Sequence, residues 1–219
     1  MSVKLIGMTR PEETLHNLGL YCPEEIIGYA ARVSNPKNQG NAETMPKLYK
    51  YLIKHGHWSP LEMVNIVLEI ETSRAIGRQL LRHKSMNFQE KSQRYAQSLE
   101  WESVECRLQH PTNRQKSTPS MNKKLNVWWL NTQMEVMQLA LQKYREAIDK
   151  GIAKEMARFL LPESMLTTIV VNGTLRSWYH WIQLREKWDT QKEHQKIVAE
   201  VKRILISHFG NIFDIGVKE

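Results

Sequence analysis

Apolar and polar positions along the chain repeat with two periods, and the switches between them mark out its elements. Residues 3 to 8, VKLIGM, form a short apolar, β-capable run that predicts a strand. From Pro23, PEEIIGYAARVS puts a proline and two acids into a first turn and then apolar residues at helical spacing, which predicts a helix. MPKLYKYLIKHGH continues helically, with Leu48, Tyr51 and Leu52 on one side and Gly56 as a stop. MVNIVLEIET, residues 63 to 72, alternates and is rich in β-branched residues, so a second strand is expected there. SRAIGRQLLRH then offers Ser73 as an N-cap and sets Ile76, Leu80 and His83 at helical steps.

Beyond a proline-containing polar loop at residues 109 to 120, Val127, Leu130, Met134, Met137, Leu141, Tyr144 and Ile148 recur at alternating steps of three and four. That stripe predicts a long helix with a core-facing side. Gly151 interrupts it before IAKEMARFL, and Pro162 ends that segment. MLTTIVVNG reads as another strand and TLRSWYHWIQLR as a helix. A last helix is expected from Thr190 to Phe209, with Ile197, Val198, Val201, Leu205 and His208 facing inward. Strands and helices follow one another without regular alternation, which favours an α+β fold over a doubly wound sheet. We expect a mostly antiparallel sheet flanked by helices in one domain over residues 1 to 219, since no repeat or linker-like composition divides the chain.

One segment breaks the core pattern. RHKSMNFQEKSQRY, residues 82 to 95, crowds charged and polar side chains directly after an apolar run. If residues 88 to 95 run extended, Phe88, Glu90, Ser92 and Arg94 share a face. Upstream, Arg78 and Arg82 stand four apart on a helix, with Gln79 beside them. Arginine's planar fork matches phosphate oxygens two at a time, so this arrangement suits a phosphate with a base or sugar attached. A solvated edge strand would present the same spacing.

Charge sharpens the choice of partner. Lys and Arg number 31 against 23 Asp and Glu, a net charge of +8, so anionic partners are favoured. The start, MSVKLIGMTRPEE, lacks a secretory pattern, and no segment is apolar enough to span a membrane, so a soluble, cytoplasmic protein without a membrane partner is expected. Cys22 and Cys106 stand far apart and outside any CxxC or Cys/His cluster, which argues against a disulfide framework or a zinc site.

HGHWSPLE, residues 55 to 62, gathers His55, His57 and Glu62 but lacks a third and fourth ligand, so no metal is expected. In TLRSWYHWIQLR, Arg176 and His180 are four apart, and Arg185 stands near the end. The chain has neither GxGxxG nor GxxxxGK[ST], and no GxSxG elbow. Arginine and histidine side chains would therefore have to counter any bound phosphate.

Arg82-His83-Lys84, seven residues, Ser92 and then Arg94-Tyr95 resembles the signature of the flavin-dependent thymidylate synthases, Arg-His-Arg, seven residues, Ser. HGHWSPLE, EMARFLLP and LRSWYHWIQLR resemble three further motifs of that family, in family order across residues 55 to 191. The resemblance implies an α+β homotetramer with active sites at subunit interfaces. It implies reductive methylation of dUMP to dTMP, with 5,10-methylenetetrahydrofolate as one-carbon donor, FAD as hydride carrier and NADPH as reductant. All these ligands except the folate carry phosphate, which suits the basic excess.

Carried over position by position, the resemblance implies that Gln79, Arg82, Glu90, Ser92, Gln93, Arg94, Arg158 and Arg185 bind dUMP. His57, Ser59, Glu62, Arg82, His83, Lys84, Glu90, Thr174, Arg176 and His180 would surround FAD. Arg185 would be catalytic by favouring the N3-deprotonated uracil, and Ser92 would act chiefly by positioning dUMP, since no base stands beside it in sequence. Lys84 replaces the third signature arginine, Met63 stands where a histidine often follows the Pro-x-Glu segment, and Asp189 stands where a flavin-site histidine is often found. Two other readings fit parts of the pattern: a nucleic-acid-binding protein using Trp128, Trp129, Trp178 and Trp181 for stacking, or a family member retained as a structural oligomer.

Overall fold

The computed structural model describes residues 1–95 and 99–213. Its order is β1 (Ser2–Met8), α1 (Glu13–His16), α2 (Pro23–Ala31), α3 (Met45–Lys54), β2 (Asn65–Ser73), α4 (Arg74–Leu80), β3 (Asn87–Glu90), β4 (Arg107–Gln109), β5 (Ser117–Pro119), α5 (Lys123–Asp149), α6 (Lys154–Ala157), β6 (Leu166–Thr174), α7 (Leu175–Arg185) and α8 (Lys192–Phe213). The fold is α+β, as the mixed element order predicts.

The main sheet has the order β1-β2-β6-β3, with every neighbouring pair antiparallel. Alternation fixes its register. Ile66, Leu68 and Ile70 of β2 lie opposite Gly173, Val171 and Ile169 of β6 and turn one buried face toward the helices. The intervening positions are only half-buried, and there Lys4 pairs with Glu69 at 3.2 Å. A one-residue slip would exchange these faces, so the apolar pattern holds the pairing.

α2, α3, α7 and α8 cover the apolar face, with Trp178, Trp181, Tyr49, Ile197, Val201 and Phe209 filling the core. Gly173 permits a close approach: a Cβ there would stand 3.1 Å from Met86 Cγ and 3.2 Å from Trp178 Nε1. Trp178 Nε1 donates to the Ile66 carbonyl at 3.2 Å, which ties α7 to β2. α3 ends where Gly56 takes a φ of 67°, and α5 ends where Gly151 takes 79°, conformations that cost glycine little.

Several expectations need correction. The stripe on α5 is not a core stripe within one chain: Met137 and Tyr144 are buried, but Val127, Leu130 and Met134 are 58%, 47% and 43% exposed. α5 is 27 residues long, about 40 Å: its second half meets the small cluster of Tyr144, Ala147 and Ala157, while its first half is held by Trp129 and Gln133 donating to the Val104 carbonyl. Residues 109 to 120 are not wholly loop, because β4 and β5 pair antiparallel at its ends. Tyr51 faces out and stacks on His55 at 4.1 Å, leaving Met45, Tyr49 and Leu52 as the buried face of α3. His208 is exposed; Ile204, Phe209 and Ile212 take the inward positions at the end of α8.

The strand at residue 88 is shorter than expected. β3 stops at Glu90, and residues 93 to 95 form a turn, so Ser92 and Arg94 do not continue one face with Phe88 and Glu90. α4 ends at Leu80 with Arg82 beyond it, and Arg78 instead pairs with Glu163 at 2.7 Å. The helix spacing of Arg78 and Arg82 therefore does not build one wall. Ser73 occupies the N-cap position without a side-chain cap bond.

Candidate active site

α7 organises the site. Thr174 caps it, its hydroxyl accepting from the Ser177 N–H at 3.2 Å, and Trp178, Trp181 and Ile182 anchor its inner face. With that face fixed, Arg176 in the first turn and Arg185 in the last open onto different cavities, about 14 Å apart along the axis.

At the N-terminal end lies a cavity of about 570 Å³, lined by His57, Trp58, Ser59 and Arg176 together with Ala30 at the end of α2 and Val33 just beyond it. Arg176 donates to Glu62 in the short helical turn Ser59–Met63. Trp58 meets the His180 ring edge-on at 4.4 Å. Burial, and then the charge of Arg176, hold His180 below the ordinary imidazole range, with a hydrogen bond to Gln183 opposing.

At the C-terminal end, a cavity of about 500 Å³ is lined by Gln79, Arg82 and Arg185, with Lys187, Asp189 and Gln191 from the segment leading into α8. His83 is also held low, first by burial and then by the charges of Arg185 and His180. His83 Nε2 and Arg185 Nε are buried polar atoms without a hydrogen-bond partner, which marks a place where a ligand atom would be satisfied. Rings held neutral add no repulsion to the neighbouring guanidinium groups, and an entering phosphate would favour protonation of both.

The other expected residues stand elsewhere in the chain. Glu90 accepts from the Thr167 hydroxyl at 2.8 Å and pairs with Arg74 at 3.3 Å. Arg94 pairs with Glu155 at 3.0 Å, and Arg158 Nε donates to the Glu155 carbonyl at 3.1 Å, so these two arginines share one neighbour. The Ser92 hydroxyl accepts from the Arg94 N–H at 3.3 Å, and Gln93 is buried beside them with its Nε2 unpartnered. Lys84 is exposed. Thr174 is occupied as the cap of α7.

Residues not singled out in the sequence surround the second cavity. Gln191 and His194 both bond Gln79, and Arg107 of β4 reaches Glu193. Their separation, more than a hundred residues from Gln79 in the first two cases, leaves no local signal. Trp178 and Trp181 are fully buried and unavailable for stacking on bases, which removes half of the aromatic platform that the nucleic-acid reading required. Among the described residues, no group of three or more His, Cys, Asp or Glu side chains is placed to hold a metal, and no helix is long and apolar enough to cross a membrane.

An antiparallel α+β fold places arginine-lined cavities at both ends of one helix, an arrangement suited to anionic ligands. Residues 18–209 match the family of the thymidylate synthase complementing protein, and the chain belongs to that family. It is 45% identical over 213 residues to a probable flavin-dependent thymidylate synthase of Paramecium bursaria Chlorella virus 1, covering 97% of each chain. It is 41% identical over 212 residues to a flavin-dependent thymidylate synthase of Synechocystis, again over 97% of each. In fold, it is similar to the crystal structure of a UMP/dUMP methylase from Streptomyces cacaoi bound with 5-Br dUMP, with a TM-score of 0.83 at 19% identity over 98% of this chain and 93% of that one.

Proposed function

We propose that the protein methylates dUMP reductively to dTMP as a flavin-dependent thymidylate synthase. The observation that carries this reading is the convergence of Gln79, Arg82 and Arg185 on one cavity, reached along α7 from a second cavity that Arg176, His57 and Ser59 line. Two cationic cavities on one helix suit a dinucleotide beside a mononucleotide. Both relatives named above are called flavin-dependent, and the residues at the first cavity fit such a cofactor: an aromatic wall, a guanidinium for phosphate and a half-buried imidazole.

His57, Ser59, Trp58, Arg176 and His180 would hold FAD, with His83 and Arg82 between the two ligands. When bound, FAD would supply hydride, with NADPH as its reductant and 5,10-methylenetetrahydrofolate as the source of the carbon. Arg185 would turn its guanidinium to the uracil carbonyls. Stabilising negative charge on the ring raises electron density at C5, the atom that must form the new bond. Arg82 neutralises phosphate, and Gln79 orients the nucleotide by hydrogen bonding.

Ser92, Gln93, Arg94 and Arg158 complete the site from another copy of the chain. Within one chain they gather around Glu155, away from Gln79 and Arg185, while the exposed Val127, Leu130 and Met134 leave an apolar face on α5 for a second copy to cover. We take the assembly to be a homotetramer, the whole chain to be one catalytic domain, and its location to be cytoplasmic. The test is turnover by FAD-loaded protein: tritium released from C5 of labelled dUMP, dependent on NADPH and methylenetetrahydrofolate. A protein that takes up no FAD and releases no tritium, but shifts DNA or RNA in a gel, would overturn the reading in favour of nucleic-acid binding.

A further inference from the structure

Five side chains from three distant parts of the chain form one continuous hydrogen-bonded row that passes the second cavity at Gln79 and Gln191. Arg107 of β4 donates Nη1 and Nη2 to the two oxygens of Glu193 at 2.7 and 2.6 Å. Gln191 Nε2 donates to Glu193 Oε2 at 3.0 Å, Gln79 Nε2 donates to Gln191 Oε1 at 2.8 Å, and Gln79 Oε1 lies 3.1 Å from His194 Nδ1. Glu193 and His194 are almost wholly buried.

The row has only one satisfactory direction. Burial alone would raise the Glu193 carboxyl, but the hydrogen bonds from Arg107, its own backbone N–H and Gln191 outweigh it and keep the group ionised. An ionised carboxylate only accepts, so Gln191 must turn its NH2 toward Glu193 and its oxygen toward Gln79. Gln79 must then give NH2 to Gln191 and its oxygen to His194. His194 must therefore carry its proton on Nδ1, leaving Nε2 bare. Reversing either amide would set like groups face to face; Gln191 is exposed, but Glu193 and His194 at the two ends are buried, where water does not replace a lost partner. The charge of Arg185 near His194, together with burial, keeps that ring neutral.

We propose that Arg107 and Glu193 are positioning residues: acting through Gln191 and locked at the far end by His194, they fix the Gln79 amide so that its remaining N–H faces the cavity of Arg82 and Arg185 as a donor to an oxygen of the nucleotide. This rests on the reading of Gln79 as a dUMP contact. The row deepens it by naming what sets the polarity of that contact. A flipped Gln79 would present its carbonyl to the same oxygen and repel it.

Glu193→Gln keeps the shape of the row but removes its direction, because an amide offers both a donor and an acceptor. We expect KM for dUMP to rise roughly tenfold with kcat changed much less, and FAD affinity to stay as in the unaltered protein. His194→Asn, whose amide nitrogen can replace Nδ1, should keep KM near the original value; His194→Asp, an acceptor only, should raise it as Glu193→Gln does. Independently of activity, 15N spectra of histidine-labelled protein should show His194 as the Nδ1–H tautomer, and a mixture of tautomers in Glu193→Gln. An Nε2–H His194 in the unaltered protein, or an unchanged KM in Glu193→Gln, would overturn the proposal. So would equal losses of kcat, KM and stability in His194→Asn and His194→Asp, which would mark a merely structural role. Protein that does not bind dUMP at all fails the functional reading and this inference with it; protein that binds dUMP with the other tautomer fails this inference alone.

Discussion

Arg176 in the first turn of α7 is hydrogen-bonded to Glu62, 114 residues earlier, so the turn after Trp58 and the helix carrying Arg185 are joined at the wall of the first cavity. Two stretches that look unrelated in sequence thereby become one surface. The side chains are 42% and 41% exposed, so the pair adds less than about 1 kcal/mol to stability, and its value lies in aiming the guanidinium.

Glu62→Gln should accordingly leave denaturant stability within about 1 kcal/mol of the original while weakening FAD binding roughly tenfold. Fluorescence titration of the apoprotein with FAD checks this. Unchanged affinity would show that Arg176 needs no partner to hold its place.

Arg185→Ala should nearly abolish turnover while FAD stays bound, because the charge on the uracil ring loses its partner; a fall of at least about a hundredfold in kcat is expected. Ser92→Ala should weaken turnover without abolishing it. Tritium release from dUMP, alongside the flavin absorbance of each variant, separates the two. Full loss in Ser92→Ala with little loss in Arg185→Ala would reverse their roles.

Arg94→Ala and Arg185→Ala should each be poorly active alone yet recover part of the activity when the two proteins are unfolded and refolded together, since mixed assemblies would contain some sites with both arginines intact. Activity of the mixture against that of each variant alone is the readout. No recovery would mean that both residues act within one copy.

His194 sets a pH dependence of stability. Burial first, and the charge of Arg185 second, push its pKa down to about 4 from an ordinary value near 6.5. Its folded pKa is below its unfolded one, so the unfolded chain binds the extra proton. Stability from keeping this ring neutral is present in full above about pH 6.5 and is lost as pH falls toward 4, to an extent on the order of 3 kcal/mol. His83 and His180, also held low, act in the same direction. Urea titrations at stepped pH should show this slope, and His194→Asn should flatten it.

The strands at residues 3 to 8 and 63 to 72 and the helices ending at Gly56 and Gly151 could be read from period and turn chemistry because each depends on neighbours within a few residues. The β4–β5 hairpin was not visible, since its three-residue strands carry too short a pattern to show a period. Helical spacing alone turns His208 and Tyr51 inward, whereas both are exposed. A helix presents an apolar stripe whose edges are settled only by what packs against it, and α3 and α8 turned slightly from the expected faces.

The motifs of the site were legible as motifs: His57, Ser59, Arg82, Arg176 and Arg185 are all recognisable in the sequence, and all line the two cavities. Their chemistry follows from residue type, because guanidinium and imidazole groups bring the same charge and donors wherever they stand. The order of the sequence's patterns determined the α+β class, and its composition the excess of positive charge. Only the tertiary structure decided which cations meet: Gln79, Arg82 and Arg185 share a cavity, whereas Arg94 and Arg158 turn to Glu155. It alone decided that Arg107, Gln191, Glu193 and His194 join Gln79. Hydrogen bonds act over about 3 Å in space and take no account of separation along the chain.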